Sequence, residues 1–291
     1  MKKIRLLASE RNARGPGMVY KNLRQGLEKL DIQVADYPVH LDEKCDYTAC
    51  LSHPMPWEKA GFQSDSICVI GPNIWEIPEE KTAQRYNDII VPSPWVKQFY
   101  ETYDFMKEKN IHVWPVGIDT EDWCPSNETE KKGDCLIYYK AAPQEQLDQA
   151  VEMCVRAGMA FGILEYGKYH EDALRQATEQ CKFCILVTRT ESQGIAYLQI
   201  LSAGLPCFVF EKEVWDDRSD GIICEATAVP YFDETCGMKV SQSANFEEKI
   251  SVFSDFLENL GTFSPREYVT KNLRLEVCAK KFIDILESTD G

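Results

Sequence analysis

Residues 188–206 read TRTESQGIAYLQILSAGLP, a short polar turn set between an apolar run and a helical pattern. The run before it, 183–187 (FCILV), has the continuous apolar character of a strand buried on both faces of a parallel sheet. Gly194 opens the helix expected over 195–203. The first N–H groups of a helix lack intrahelical partners and its dipole favours an anion there, so this turn suits a phosphate. Ser192 adds a hydroxyl donor to the same turn, and Gly204 closes the helix as a C-terminal cap before a further strand at 207–210. Two cations stand where they can add charge. Lys140 ends an apolar strand at 135–139, on the C-terminal edge where open α/β sheets bind ligands, and Arg189 lies in the turn itself, two residues before Glu191. The bland alternative is an ordinary strand–turn–helix unit, which any α/β domain repeats several times.

A strand, a Glu-x-x-Gly turn, a helix with a second polar group eight residues after the acid, and Ala-Gly-Leu-Pro leading into a strand together resemble the C-terminal signature of retaining glycosyltransferases of family 4. The resemblance places Glu191 near the transferred sugar, Ser192 and Gly194 on the nucleotide phosphates, and Gln199 on the ribose hydroxyls. Gln199 departs from the family's acid, and an amide lacks the stronger charge-assisted bond that a carboxylate makes. Residues 90–97 (IVPSPWVK), 111–119 (IHVWPVGID) and 123–125 (WCP), with Gly15-Pro16-Gly17 near the N-terminus, agree with other family segments, so the resemblance covers most of the chain. It implies an α/β fold of two Rossmann-like doubly wound domains facing a central cleft, the GT-B architecture. It implies transfer from a UDP- or GDP-sugar to a glycan, lipid-linked or other acceptor with retention of configuration, without a metal or other cofactor. By the same resemblance Lys140 meets the diphosphate, His53 lies near the transferred sugar, and Tyr166 with Gly167 passes beneath the base. A nucleotide-sugar-binding protein without turnover, which Gln199 would suit, and a nucleotide-sugar epimerase of the same fold are the alternatives.

The elements that must position these residues follow from periodicity. A first strand is expected at 4–8 and an amphipathic helix at 18–30, with Val19, Leu23, Leu27 and Leu30 at helical spacing. Gly15 and Gly17 then fall in a loop between them, where backbone can approach a ligand. Short strands at 33–35, 47–51, 67–70, 88–91 and 112–114, and later at 135–139 and 160–164, alternate with turns and with helices at 144–157 and 171–180. Such alternation predicts parallel α/β sheets. The polar stretch 126–134 reads as a linker. The expected domains are 1–125 and 126–264, with a long helix over about 265–287 returning to the first; Ser264 and Pro265 mark its start. Asn73 and Ser93 are equally explained as acceptor-side groups or as turn chemistry.

Composition narrows the function classes. The net charge of −15 argues against nucleic acid as a partner. Residues 1–30 nevertheless hold eight Lys or Arg against two Glu, a net +6 that leaves −21 for the remainder. That basic start can face an anionic acceptor or make peripheral contact with an anionic membrane, or it can be a solvated helix face. No secretory leader or membrane-spanning run is visible, which predicts a cytoplasmic protein. Many of the 12 cysteines sit in apolar patterns and read as reduced, buried thiols. Cys181 and Cys184 lack the second pair of a zinc site, and Asp216-Asp217 lacks the Asp-x-Asp form of a metal-dependent transferase, so no metal is expected. A serine hydrolase is disfavoured because no Gly-x-Ser-x-Gly elbow occurs.

Overall fold

Apolar runs alternating with amphipathic helices build two parallel sheets in the computed structural model, which describes residues 2–9, 14–35, 43–125, 133–216 and 221–289. The chain divides into two compact units, Met1–Asp119 with Asn272–Gly291, and Thr120–Lys271. The first holds β1 (Lys3–Leu7), α1 (Arg14–Lys29), β2 (Gln33–Ala35), β3 (Tyr47–Ser52), α2 (Met55–Lys59), β4 (Val69–Asn73), α3 (Glu80–Ala83), β5 (Asp88–Val91), α4 (Pro94–Glu101) and β6 (Asn110–Val113). The second holds β7 (Cys135–Lys140), α5 (Gln144–Arg156), β8 (Phe161–Glu165), α6 (Glu171–Gln180), β9 (Phe183–Thr188), α7 (Ile195–Ser202) and β10 (Cys207–Glu211). It continues through β11 (Val214–Trp215), β12 (Cys224–Glu225), β13 (Gly237–Ser241), α8 (Phe246–Glu258) and α9 (Pro265–Asn272), after which α10 (Leu275–Ser288) returns to the first unit. The strand orders are β2-β1-β3-β4-β5-β6 and β13-β10-β9-β7-β8, and every neighbouring pair within them is parallel. Both units are Rossmann-like.

Helices cover the central strands of the second sheet on both faces, which is why β9 and β10 bury every residue. On one face α5 sets Ala150, Met153 and Cys154, and α8 sets Phe253 and Phe256, into a single apolar core. There the rings of Phe183, Phe208, Phe253 and Phe256 lie with centroids 5.1 to 6.3 Å apart. Truncating one of them would cost about 3–5 kcal/mol, the lost transfer energy plus the cavity. Asn245 starts α8 by accepting the Glu248 N–H at 3.0 Å, which satisfies one orphan donor of the first turn.

In the first unit α10 and α1 pack backbone to backbone. A Cβ placed on Gly26 would lie 2.6 Å from the Leu275 carbonyl oxygen, so only glycine fits that crossing. Trp114 is fully buried; its Nε1 donates to the Cys278 carbonyl at 2.8 Å and its ring meets Phe282 at 5.1 Å. Asn22 Nδ2 donates to the Gly117 carbonyl at 2.7 Å and ties α1 to the strand-exit segment.

Two sequence expectations change. The single helix over 265–287 is two helices, because Leu273 and Leu275 are both buried and Ile118 N–H donates to the Leu273 carbonyl at 2.8 Å, holding the chain extended at Arg274. Gly15, Pro16 and Gly17 are not a loop: they form the first turn of α1. Proline is accepted there because the first N–H groups of a helix have no intrahelical carbonyl to bond. Residues 126–132 of the expected linker, and Asp217, lie outside the described residues.

Candidate functional site

β7 and β9 run side by side, with Lys140 opposite Thr188 at their C-terminal ends. Parallel pairing therefore delivers a lysine and the start of the polar turn to one edge of the sheet. Lys140 Nζ lies 2.6 Å from Glu191 Oε1 and 4.6 Å from the centroid of the Tyr166 ring. Tyr166 is held there through its N–H, which donates to the Tyr139 carbonyl at 2.8 Å. Glu191 is only 9% exposed. Burial pushes its carboxyl above the ordinary carboxylate value, and Lys140 opposes that rise by charge and by hydrogen bond. A lysine bonded to a carboxylate, half open to solvent beside a helix start, is a group that an incoming phosphate can recruit.

Gly194 completes the turn. Its φ of +74° is left-handed, and a Cβ there would fall 2.0 Å from Cε1 of Tyr197. Tyr197 cannot easily yield, being buried with its hydroxyl accepting the Tyr231 N–H at 3.0 Å. Beyond Gly194, α7 is buried from Tyr197 through Ser202, so its axis is fixed by packing on all sides. Its far end is capped by Arg266, whose guanidinium donates to the carbonyls of Ser202 at 2.8 Å, Trp123 at 3.1 Å and Thr120 at 3.0 Å. A cation at the C-terminus complements the dipole whose positive end is the turn.

The residues singled out in the sequence fall as follows. Lys140 meets both Glu191 and the Tyr166 ring, and Arg189 joins it through its N–H, which donates to the Lys140 carbonyl at 3.2 Å. The side chains of Arg189 and Ser192 are exposed, and Arg189 helps lower the Asp216 carboxyl after the larger effect of Lys212 at 2.8 Å. Gly167, with φ +88°, follows Tyr166, and Gln199 is buried on α7. Thr188 Oγ1 is buried beside Lys140 without a hydrogen-bond partner among the described residues. His53, in the first unit, has both ring nitrogens engaged: Nδ1 accepts the Met55 N–H at 3.2 Å and Nε2 faces Glu79 at 3.6 Å. Gly15 and Gly17 belong to α1, as described.

Sequence reasoning missed the groups that hold the turn from behind. Gln242 Nε2 donates to the carbonyls of Thr188 at 2.7 Å and Phe210 at 3.0 Å. The Gln242 carbonyl in turn accepts at 2.8 Å from Lys249, a fully buried lysine that also donates to Gln146 and Gln149. Burial holds the Lys249 ammonium below its ordinary value. Glu211, which ends β10, accepts from Thr227 Oγ1 at 2.9 Å and from the Ala228 N–H at 2.6 Å. One signal was present: Glu211 follows the apolar run 207–210 as Lys140 follows 135–139.

No family model matches the sequence, and no curated protein matches it. Solved structures do match in fold. Sucrose-phosphate synthase from Thermosynechococcus elongatus superposes with a TM-score of 0.65 at 10% identity, covering 99% of each chain. AviGT4, a glycosyltransferase involved in avilamycin A biosynthesis, gives 0.62 at 10% identity and covers 100% of this chain and 99% of its own. An alpha-glucosyltransferase in complex with UDP and a DNA 13-mer gives 0.61 at 11% identity, covering 99% of each chain. The fold is that of the GT-B glycosyltransferases. Their identity to this chain is too low to carry more than that architecture.

Proposed function

We propose that this chain is a retaining glycosyltransferase that moves a sugar from a UDP- or GDP-sugar to a glycan or other acceptor. The observation that carries the reading is the Lys140–Glu191 pair at 2.6 Å beside the left-handed Gly194 and the start of α7. In such a transfer the bond between the anomeric carbon and the diphosphate oxygen breaks, its electron pair stays on that oxygen, and the acceptor hydroxyl oxygen bonds the anomeric carbon as its proton leaves. Charge therefore builds on the diphosphate. Positive groups fixed beforehand at that point lower the barrier most, because nothing has to reorganise as the charge appears. Lys140, Arg189 and the N–H groups following Gly194 meet that need, with Ser192 Oγ as a further donor. Glu191, released from Lys140 as the diphosphate takes its place, is left to accept from hydroxyls of the transferred sugar. Gln199 is assigned to the ribose and Tyr166 to the base.

The basic start of the chain is not part of this proposal: four of its eight cations pair with acids of the first unit. Lys2 meets Glu287, Lys3 meets Glu43, Arg24 lies 2.8 Å from Glu28 and Lys29 lies 3.9 Å from Glu276. The test is incubation with a panel of UDP- and GDP-sugars. A transferase slowly hydrolyses its donor, a binding protein only gains thermal stability, and an epimerase changes the sugar. Donor hydrolysis by the wild type that falls by at least about a hundredfold in Lys140→Ala and Glu191→Ala supports the reading. Wild-type turnover in both variants, or a changed sugar, contradicts it.

A further inference from the structure

We propose that Glu211 is a positioning residue for Glu191, acting through the segment 226–231. Glu211 is 6% exposed at the end of β10, and it grips that segment through two donors: the Thr227 hydroxyl, whose Oγ1 lies 2.9 and 3.0 Å from its two oxygens, and the Ala228 N–H, which donates at 2.6 Å. Lys239 on β13 completes its shell at 2.8 Å. The other side of the segment faces the turn. The Thr227 carbonyl accepts the Glu191 N–H at 2.9 Å, and the Tyr231 N–H donates to the hydroxyl of Tyr197, the ring that fills the space against Gly194. Thr227 Oγ1 also accepts the Val229 N–H at 3.1 Å, so the segment keeps its own shape while it spans the gap.

Each link has a physical reason. A buried carboxylate must have its oxygens satisfied, so Glu211 cannot release Thr227 and Ala228 without leaving a charge unmet. The peptide unit after Thr190 has no partner in the β9 ladder, because the strand has ended. Thr227 supplies the carbonyl that fixes it, and with it the direction in which the Glu191 side chain leaves the backbone towards Lys140. The Glu211 carboxylate bonds Thr227, Ala228 and Lys239, so its effect on the site passes through the segment. The consequence for turnover rests on the reading above that this turn holds the donor; the bracing itself does not.

The experiment measures amide hydrogen exchange at Glu191 in the full chain, with the Leu186 amide in the core of β9 as internal reference. Thr227→Val removes the hydroxyl at nearly constant volume, Glu211→Ala removes the anchor, and Glu211→Gln keeps one acceptor oxygen. Exchange at Glu191 is expected to rise by about tenfold or more in Glu211→Ala and Thr227→Val, and by less in Glu211→Gln, while Leu186 is unchanged. The donor KM measured on the same variants is expected to rise in the same order. Unchanged exchange at Glu191, or equal acceleration at Leu186, overturns the bracing role. If exchange rises as expected but the wild type turns over no nucleotide sugar, the bracing stands and the functional reading falls.

Discussion

Gly194→Ala separates backbone strain from steric overlap at the turn. A non-glycine residue at φ +74° carries the left-handed penalty of about 1–2 kcal/mol. The new Cβ would also lie 2.0 Å from Cε1 and 2.4 Å from Cδ1 of Tyr197, an overlap that adds about 1–3 kcal/mol for displacing a packed ring. Together these give roughly 2–5 kcal/mol, a loss of about 5–15 °C in Tm for a unit of this size. Gly204→Ala is the control. Its φ is +85°, but the nearest atom to its Cβ is Pro125 Cγ at 3.2 Å, so it should lose only the strain, about 2–6 °C. Thermal unfolding followed by circular dichroism measures both. Tyr197→Ala combined with Gly194→Ala should recover the overlap part, read as a favourable coupling in the double-mutant cycle. If Gly194→Ala costs no more than Gly204→Ala, Tyr197 is not fixed against the turn and the account of its geometry fails.

Glu191→Gln should raise stability near neutral pH. Because burial raises the Glu191 carboxyl above its ordinary 4.5, the protonated form favours folding; that contribution is complete below about pH 4.5 and is lost as pH rises through the shifted value. The glutamine variant should therefore be more stable than the wild type at about pH 7.5, with the gain vanishing at about pH 4; a gain independent of pH would place its cause elsewhere. Gln199→Glu should strengthen nucleotide binding by calorimetry if that side chain meets the ribose, because a carboxylate makes the charge-assisted bond an amide lacks, and unchanged binding would remove it from the site. Trp114→Ala should cost about 3–5 kcal/mol by denaturant unfolding, since a fully buried ring and its bond to the Cys278 carbonyl go together; a loss under about 1 kcal/mol would show that α10 is not anchored there.

The parts of the site that lie in one stretch of sequence were readable. The apolar run of β9, the polar turn, Gly194 and α7 are consecutive, and periodicity alone orders them. Lys140 was readable for a different reason: it ends an apolar strand, and parallel sheets present such ends on one edge. Its contact with Glu191 was not, because only the pairing of β7 with β9 brings the two together. Glu211, Thr227, Gln242 and Lys249 stayed hidden because each acts through a partner 16 to 103 residues away. Nothing was assigned between β10 and Ser264, yet α8 signals itself, with Asn245 and Glu248 as a cap and Phe246, Ile250, Phe253 and Phe256 at helical spacing. Gly15-Pro16-Gly17 misled in the other direction, since glycine and proline punctuate loops but are equally at home in a first helical turn. Leu273 and Leu275 continue an amphipathic pattern, so the break at Arg274 is set by the pairing with Ile118 rather than by any local breaker.

The central claim is that Lys140 and the turn opening at Gly194 receive a nucleoside diphosphate. Isothermal titration of the full chain with UDP, GDP and ADP, in the wild type and in Lys140→Met, tests it most directly. Saturable binding of one of them by the wild type, weakened by about tenfold or more in the variant, is the predicted result. Equal affinity in the two proteins, or no binding of any of the three, would contradict it.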